Sequence, residues 1–364
     1  MRTHKQINFY RLAVLSLTLM VMGAGCTASH WNAPPAPADQ ADLSGFHAAW
    51  AIYQAETLRV QRQRDCAPRL IPAAANQTRR GAVVMFHGFG GCPQQFFLLA
   101  GRISEQGYDV LMPLQPGHGV LSEPDGHEDL SRLPGAGDPG NRYAEFADRM
   151  NRIMALSPGE KVTVGFSLGG AVSLNASLNA PELYDRQLLL SPMLAIRGGN
   201  FVEGLAGIAG RTPGIRNIVV KPRDFREMCA GWQAMGRAGF CNYQLRHVVA
   251  LLRLEKANRE MIQAKRPAMP IQLIAAGDEQ YVSNDRIEEF ATNQSRSGPV
   301  SLCFLPDDVP HEMLSPYENK DRAMYWLGDL LSFTTAFIVD GQFVPVEEKN
   351  KQTSASACQT GLRQ

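Results

Sequence analysis

The chain has 364 residues, 45% of them apolar and 20% charged, a length that one α/β domain with insertions can absorb. Its 36 Lys and Arg against 35 Asp and Glu leave a formal charge of +1. No long basic run hides behind that balance, so a nucleic-acid or polyanion partner is not expected.

Residues 1–26 read as an export signal. Arg2, His4, Lys5 and Arg11 make a cationic start, Leu12 to Met22 is apolar except for Ser16 and Thr18, and Gly23-Ala24-Gly25 precede Cys26. That order of charge, apolar run and small residues is a secretory signal with its cleavage region. The run is too short to cross about 30 Å of hydrocarbon unaided. Its end resembles a bacterial lipoprotein signal, with Gly23 where such signals usually carry Leu. The resemblance implies a lipidated Cys26 and a membrane-anchored protein facing the periplasm or cell exterior; plain secretion and a retained anchor are the alternatives.

Residues 27–75 are expected to form a tether and N-terminal extension, because Ala33-Pro34-Pro35-Ala36-Pro37 is extended and poor in large apolar groups. From Gly81 the pattern changes. Ala82 to His87 reads as a buried strand, Gln94 to Gln106 as a helix and Tyr108 to Met112 as a second strand. Residues 113–142, rich in Pro, Gly and Asp, read as a long loop. A strand at Lys161 to Phe166 runs into a helix at Leu168 to Asn179, and further strands follow at Gln187 to Leu190, Ile271 to Ala275 and Val300 to Leu305. Alternating strands and helices imply a mostly parallel sheet flanked by helices, an α/β fold, over residues 76–346. Residues 196–266 interrupt the alternation and read as a cap, ending in a long helix from Tyr243 to Ala264. Residues 347–364 are polar and read as a loose tail unless Cys358 ties it down.

Six cysteines follow Cys26: Cys66, Cys92, Cys229, Cys241, Cys303 and Cys358. None shows CxxC or metal-ligand spacing, so no metal is expected, and in an exported chain the even number points to disulfides. Cys229 and Cys241, close together in a Gly-rich stretch, are the easiest pair to join.

Gly165-Phe166-Ser167-Leu168-Gly169 matches G-x-S-x-G between a strand and a helix, the context of a nucleophile elbow. Ser167 is therefore the candidate nucleophile. His87-Gly88-Phe89-Gly90-Gly91 ends an earlier strand, where glycines let backbone amides approach a ligand; the Phe89 and Leu168 amides are the candidate oxyanion hole. His311 follows the last strand in Pro310-His311-Glu312-Met313-Leu314 and is the candidate base, because the order of the triad in such sheets is Ser, acid, His. His4, His30, His47, His127 and His247 are worse placed.

Together with Pro116-Gly117-His118-Gly119, these motifs resemble the α/β-hydrolase superfamily, closest to its monoglyceride lipase, lysophospholipase and carboxylesterase branch, over about residues 80–330. The resemblance implies a serine hydrolase acting on small-molecule or lipid esters without metal or organic cofactor, and it makes His118 a loop-shaping residue. It also implies an acid within Ala276-Gly277-Asp278-Glu279-Gln280-Tyr281-Val282, where relatives show Gly-x-x-Asp-x-x-Val. Counting back from Val282 selects Glu279. Counting on from Gly277 selects Gln280, which cannot stabilise an imidazolium. Asp278 stays open as the second candidate.

Three other functions share these features. A serine aminopeptidase of the prolyl type uses the same scaffold, though its elbow typically carries Gly-Gly-Ser-Trp-Gly. A thioesterase sits awkwardly outside the cytoplasm, and a non-catalytic surface-binding lipoprotein sits awkwardly with so complete a set of catalytic residue types.

Overall fold

The computed structural model describes residues 43–63, 65–122, 128–220, 231, 233–265, 267–317, 319, 324–347 and 357–358. All of the described residues belong to one unit, residues 35–364. Cys26 and the whole export segment therefore lie outside the described residues.

The frame is a sheet whose strands lie in the order β1-β3-β2-β4-β5-β8-β9-β11-β10. These are β1 (Arg69–Ile71), β2 (Gly81–Phe86), β3 (Tyr108–Met112), β4 (Glu160–Phe166), β5 (Arg186–Leu190), β8 (Ile271–Ala275), β9 (Val300–Phe304), β10 (Val346–Glu347) and β11 (Ala357–Cys358). β3, β2, β4, β5, β8 and β9 are parallel throughout, and only β1 and β10, at the two edges, run antiparallel to their neighbours. A parallel sheet must be covered on both faces, and β2 shows how one strand serves both. Ala82, Val84 and Phe86 enter one core and Val83 and Met85 the other, because successive side chains of a strand point to opposite faces.

The first core is roofed by α1 (Ser44–Thr57), α3 (Arg142–Met154), α4 (Leu168–Asn179), α6 (Leu245–Ala264) and α7 (Asn284–Gln294). The second is roofed by α2 (Phe97–Ser104) and α8 (Leu327–Asp340). α1 comes from the stretch expected to be tether and extension. It buries Phe46, Trp50 and Tyr53, and Tyr53 Oη donates to the Leu114 carbonyl at 2.8 Å, so from residue 44 the extension belongs to the body. The expected helix at Gln94 to Gln106 is shorter and begins as a 3-10 turn, Pro93–Phe96, before α2. The loop expected over 113–142 ends where α3 starts.

Within 196–266 the chain forms α5 (Gly199–Ala209), then a two-strand ribbon of β6 (Val219–Val220) and β7 (Tyr243–Gln244), then α6. α6 packs on the helix that follows Ser167. Asn258 donates to the Ala171 carbonyl at 2.8 Å and accepts from Asn175 at 2.8 Å, all three residues lying on the α4–α6 contact. Among the described residues no helix is long and apolar enough to cross a membrane.

Two disulfides join described residues, Cys66–Cys92 and Cys303–Cys358. Cys241 is also disulfide-bonded, while Cys229, its expected partner, lies outside the described residues. The tail is not wholly loose: β11 pairs with β9 and with β10, and Cys358 is bridged to Cys303.

Candidate active site

Ser167 stands between the end of β4 and the first residue of α4, with φ 54° and ψ −120°. A non-glycine residue at positive φ is strained, and the surroundings must hold it there. They do so through the backbone. The Ser167 amide donates to Leu190 O at 3.0 Å, and its carbonyl accepts from Gly170 at 2.9 Å and from Met193 at 2.9 Å. The flanking glycines are required by space. A Cβ on Gly165 would enter the Gly169 carbonyl, and one on Gly169 would enter the Phe86 carbonyl of the adjacent strand. Leu168, fully buried, opens α4, and as the first residue of the helix its amide has no intrahelical partner.

His87 to Gly91 form the second wall. Gly91 donates to the Gly88 carbonyl at 3.1 Å and Gly90 has φ +79°, the pattern of a type II turn with glycine at its third position. In that turn the amide of the second residue, Phe89, is not used by the turn itself. Among the described residues neither the Phe89 nor the Leu168 amide donates a hydrogen bond. His87 is sealed behind the turn. Its Nδ1 lies 3.0 Å from Gly88 O, and its Nε2 accepts from the Gln115 amide at 3.1 Å, which fixes the Nδ1–H tautomer. Burial drives its pKa down to about 4, against the Gly88 carbonyl, which raises it, and with Arg237, which lowers it further; His87 is neutral at pH 7. His118, also fully buried, is likewise held well below its ordinary value, first by burial and then by His87. The two rings meet edge to face at 5.0 Å.

Glu279 and His311 form the third element. Glu279 Oε2 lies 2.6 Å from His311 Nδ1, and the side chains are 3% and 6% exposed. The other carboxylate oxygen accepts from the Tyr281 amide at 2.8 Å and the Val282 amide at 3.1 Å. Burial alone would raise the Glu279 pKa, but the His311 ring and these two amides together hold it below the ordinary carboxylate value. Asp278, one residue earlier, is turned away: Gln280 Nε2 reaches its carboxylate at 3.2 Å. The His311 ring packs against Phe166 at 5.0 Å and Tyr281 at 5.1 Å. Phe166 immediately precedes Ser167, so the Glu279–His311 pair and the elbow share a side chain.

Three supporting residues carried no motif in the sequence. Ser191 has φ 36° and its hydroxyl accepts from the Ala276 amide at 2.9 Å, pinning the start of the acid's loop. Arg197 donates to the Glu279 carbonyl. Asn319 holds the carbonyls of Glu312 and Ser315 beyond His311. Ser191, unlike Ser167, has no flanking glycine motif to betray its positive φ, and the other two are single polar residues far along the chain. Of the remaining histidines, His247 is fully buried and caps α6 by accepting from the Gln244 amide at 3.0 Å, whereas His30 and His127 lie outside the described residues. A cavity of about 300 Å³ lies between α6 and α7, lined by Met193, Glu255, Arg259 and Phe290 among others, but none of Ser167, Glu279 and His311 lines it.

Among solved structures, the chain is similar to a monoacylglycerol lipase from Paleococcus ferrophilus at 13% identity, over 76% of this chain and 98% of that one, with a TM-score of 0.55. It is similar to a soluble variant of monoglyceride lipase from Saccharomyces cerevisiae at 15% identity, over 77% and 94%, with a TM-score of 0.54. It is also similar to a thermostable carboxyl esterase from Bacillus coagulans at 13% identity, over 75% and 93%, with a TM-score of 0.55. At such identities the likeness shows the fold, that of the α/β-hydrolases. No curated protein matches the chain in sequence. The family model described as serine aminopeptidase, S33, matches residues 77–315; that span holds the elbow, the glycine turn and the Glu279–His311 pair, and the chain belongs to this family of α/β-hydrolase-fold hydrolases.

Proposed function

We propose that the protein hydrolyses carboxylic esters through an acyl-enzyme formed on Ser167, with His311 as general base and Glu279 as its orienting acid. The observation that carries this reading is the buried 2.6 Å contact between Glu279 Oε2 and His311 Nδ1. It makes His311 donate through Nδ1 and leaves Nε2 with the lone pair that a base needs. In the first step Ser167 Oγ attacks the ester carbonyl as His311 takes its proton. The negative oxygen is received by the Phe89 and Leu168 amides, with the N-terminal end of α4 behind the second. His311 then protonates the departing alcohol. Water, deprotonated by His311, releases the acid. Glu279 stays ionised and stabilises the imidazolium in both halves.

Esters of lipase or esterase type are favoured by the relatives, two described as lipases and one as a carboxyl esterase, and lysophospholipid esters belong to the same proposal through the sequence motifs. The family's own description supports a second reading, peptide-bond cleavage at an amino terminus. Phe166 and Leu168 beside the nucleophile speak for the ester, because the aminopeptidase elbow typically carries Gly and Trp there. Export, lipidation of Cys26 and attachment to a membrane belong to the same proposal, supported by the signal-like first 26 residues; mass spectrometry of the mature N-terminal peptide tests them.

The catalytic test uses a fluorophosphonate probe and two substrates, a nitrophenyl ester and an amino-acid arylamide. Wild-type protein is expected to be labelled and to cleave the ester, and Ser167→Ala to do neither. Equal labelling of Ser167→Ala would remove Ser167 from the role, and cleavage of the arylamide in preference to the ester would make the protein a peptidase.

A further inference from the structure

Two adjacent glutamines, Gln94 and Gln95, are nearly buried, at 6% and 7% exposure, in the 3-10 turn just after the glycine loop. Neither belongs to the reacting set, yet each spends its carboxamide on backbone. Gln95 Oε1 accepts from the Gly88 amide at 2.9 Å, at the entry to the turn that carries Phe89. Gln94 grips another part of the chain: its Nε2 donates to Gly236 O at 3.1 Å and its Oε1 accepts from the Ala238 amide at 2.9 Å. Two residues further on, the Phe240 amide donates to the Gly90 carbonyl at 3.1 Å, and the Phe240 ring meets that of Phe89 edge to face at 4.9 Å. Gln63 secures the same strip by accepting from the Gly239 amide at 2.6 Å and donating to its carbonyl at 3.1 Å. The turn is thus tied at Gly88 N, Gly88 O and Gly90 O, and the Phe89 amide between them donates no hydrogen bond among the described residues.

We propose that Gln95 and Gln94 are positioning residues for the oxyanion: Gln95 sets the turn that aims the Phe89 amide, and Gln94 locks the 236–240 strip of the insertion onto that same turn. The proposal rests on reading the Phe89 amide as an oxyanion donor. It makes the insertion part of the catalytic frame, since a displacement of the strip pulls directly on Gly90. A donor a few tenths of an ångström out of place loses stabilisation of the transition state while substrate binding is little changed.

The test is steady-state kinetics of the full-length protein on a nitrophenyl ester. Gln95→Met keeps the volume and removes the acceptor; kcat is expected to fall about 10- to 100-fold with KM held within about twofold, as when one oxyanion donor is weakened. Gln94→Met should lower kcat less, by about threefold to tenfold, because it acts through Phe240 and Gly90. Gln95→Glu restores an acceptor but places an ionisable group behind the oxyanion. Its kcat relative to wild type should therefore fall from about pH 5.5 to about pH 8.5 as that carboxyl ionises. A folded Gln95→Met with wild-type kcat overturns the proposal. If that variant does not fold, a Gln95→Glu to wild-type ratio that is flat with pH overturns it instead. A wild-type protein that cleaves no ester at all would bring down the ester reading itself, a result separate from either variant's behaviour.

Discussion

Around Ser167 the molecule works by excluded volume, whereas around His311 it works by charge. The elbow has no ionisable group. Its geometry comes from two glycines whose missing Cβ atoms let β4, α4 and β2 close up, and from backbone bonds that hold a serine at φ 54°. The Glu279–His311 pair has no such backbone strain at either residue. It depends on a carboxylate kept ionised while buried, by one imidazole and two amides. One half therefore answers to substitutions that change size and the other to those that change charge at constant size.

Several measurements would break or sharpen that contrast. Glu279→Gln is nearly isosteric, so stability should suffer little by volume while kcat falls by about three to four orders of magnitude, as when a triad acid loses its charge. A variant with near wild-type kcat would transfer the acid's role elsewhere. Gly169→Ala adds one methyl group where the Phe86 carbonyl already sits; it should cost about 3 kcal/mol or more by overpacking and give protein that unfolds early in denaturant. Wild-type stability in that variant would mean the elbow is held by something other than space.

The charged half should also respond to acid. The folded pKa of Glu279 lies below its ordinary value. Its stabilising contribution is therefore complete above the ordinary carboxylate pKa and drains away as pH falls through the lower folded value. The stability gap between wild type and Glu279→Gln, followed by denaturant midpoints, should accordingly be widest near neutrality and narrow in acid, and a gap independent of pH would contradict the electrostatic account. The smallest effect is expected at Asp278, whose carboxylate faces Gln280. Asp278→Asn should keep kcat within about threefold of wild type, the range of a surface charge change. A collapse there, with Glu279→Gln still active, would reverse the assignment.

The sheet and the elbow were legible because their signals are contiguous. Five consecutive apolar residues in β2, or Gly-Phe-Ser-Leu-Gly at a strand end, can be read without knowing what lies across the fold. The register through Val282 favoured Glu279 while leaving Asp278 open; the Glu279 carboxylate lies against His311, 32 positions away. α1 was hidden because Phe46, Trp50 and Tyr53 follow directly on a Pro- and Ala-rich stretch and find their partners on α3 and in the Leu114 loop, far along the chain. Gln94 and Gln95 were illegible for a different reason. A polar residue that binds backbone leaves no periodicity, and only the fold brings residues 236–240 beside residue 94. The pairing of cysteines was hidden in the same way: Cys66 meets Cys92 because both flank the glycine loops, a matter of three-dimensional proximity.

The end of the sheet past β9 has a consequence for how the chain behaves before it is fully oxidised. Strand edges offer unpaired amides and carbonyls to other molecules. Among the described residues the boundary is made of two strands of two residues each, β11 and β10, too short to serve as a template. The inner one is held by Cys303–Cys358, a bridge that closes 55 residues of chain and on loop entropy is worth about 4 kcal/mol. While those thiols are reduced, a single backbone pairing among the described residues, Ala357 with Phe304, joins β11 to β9. Self-association through β9 should therefore track thiol oxidation, rising in reductant and falling once the bridge forms, which makes this bond a guard against aggregation as well as a brace.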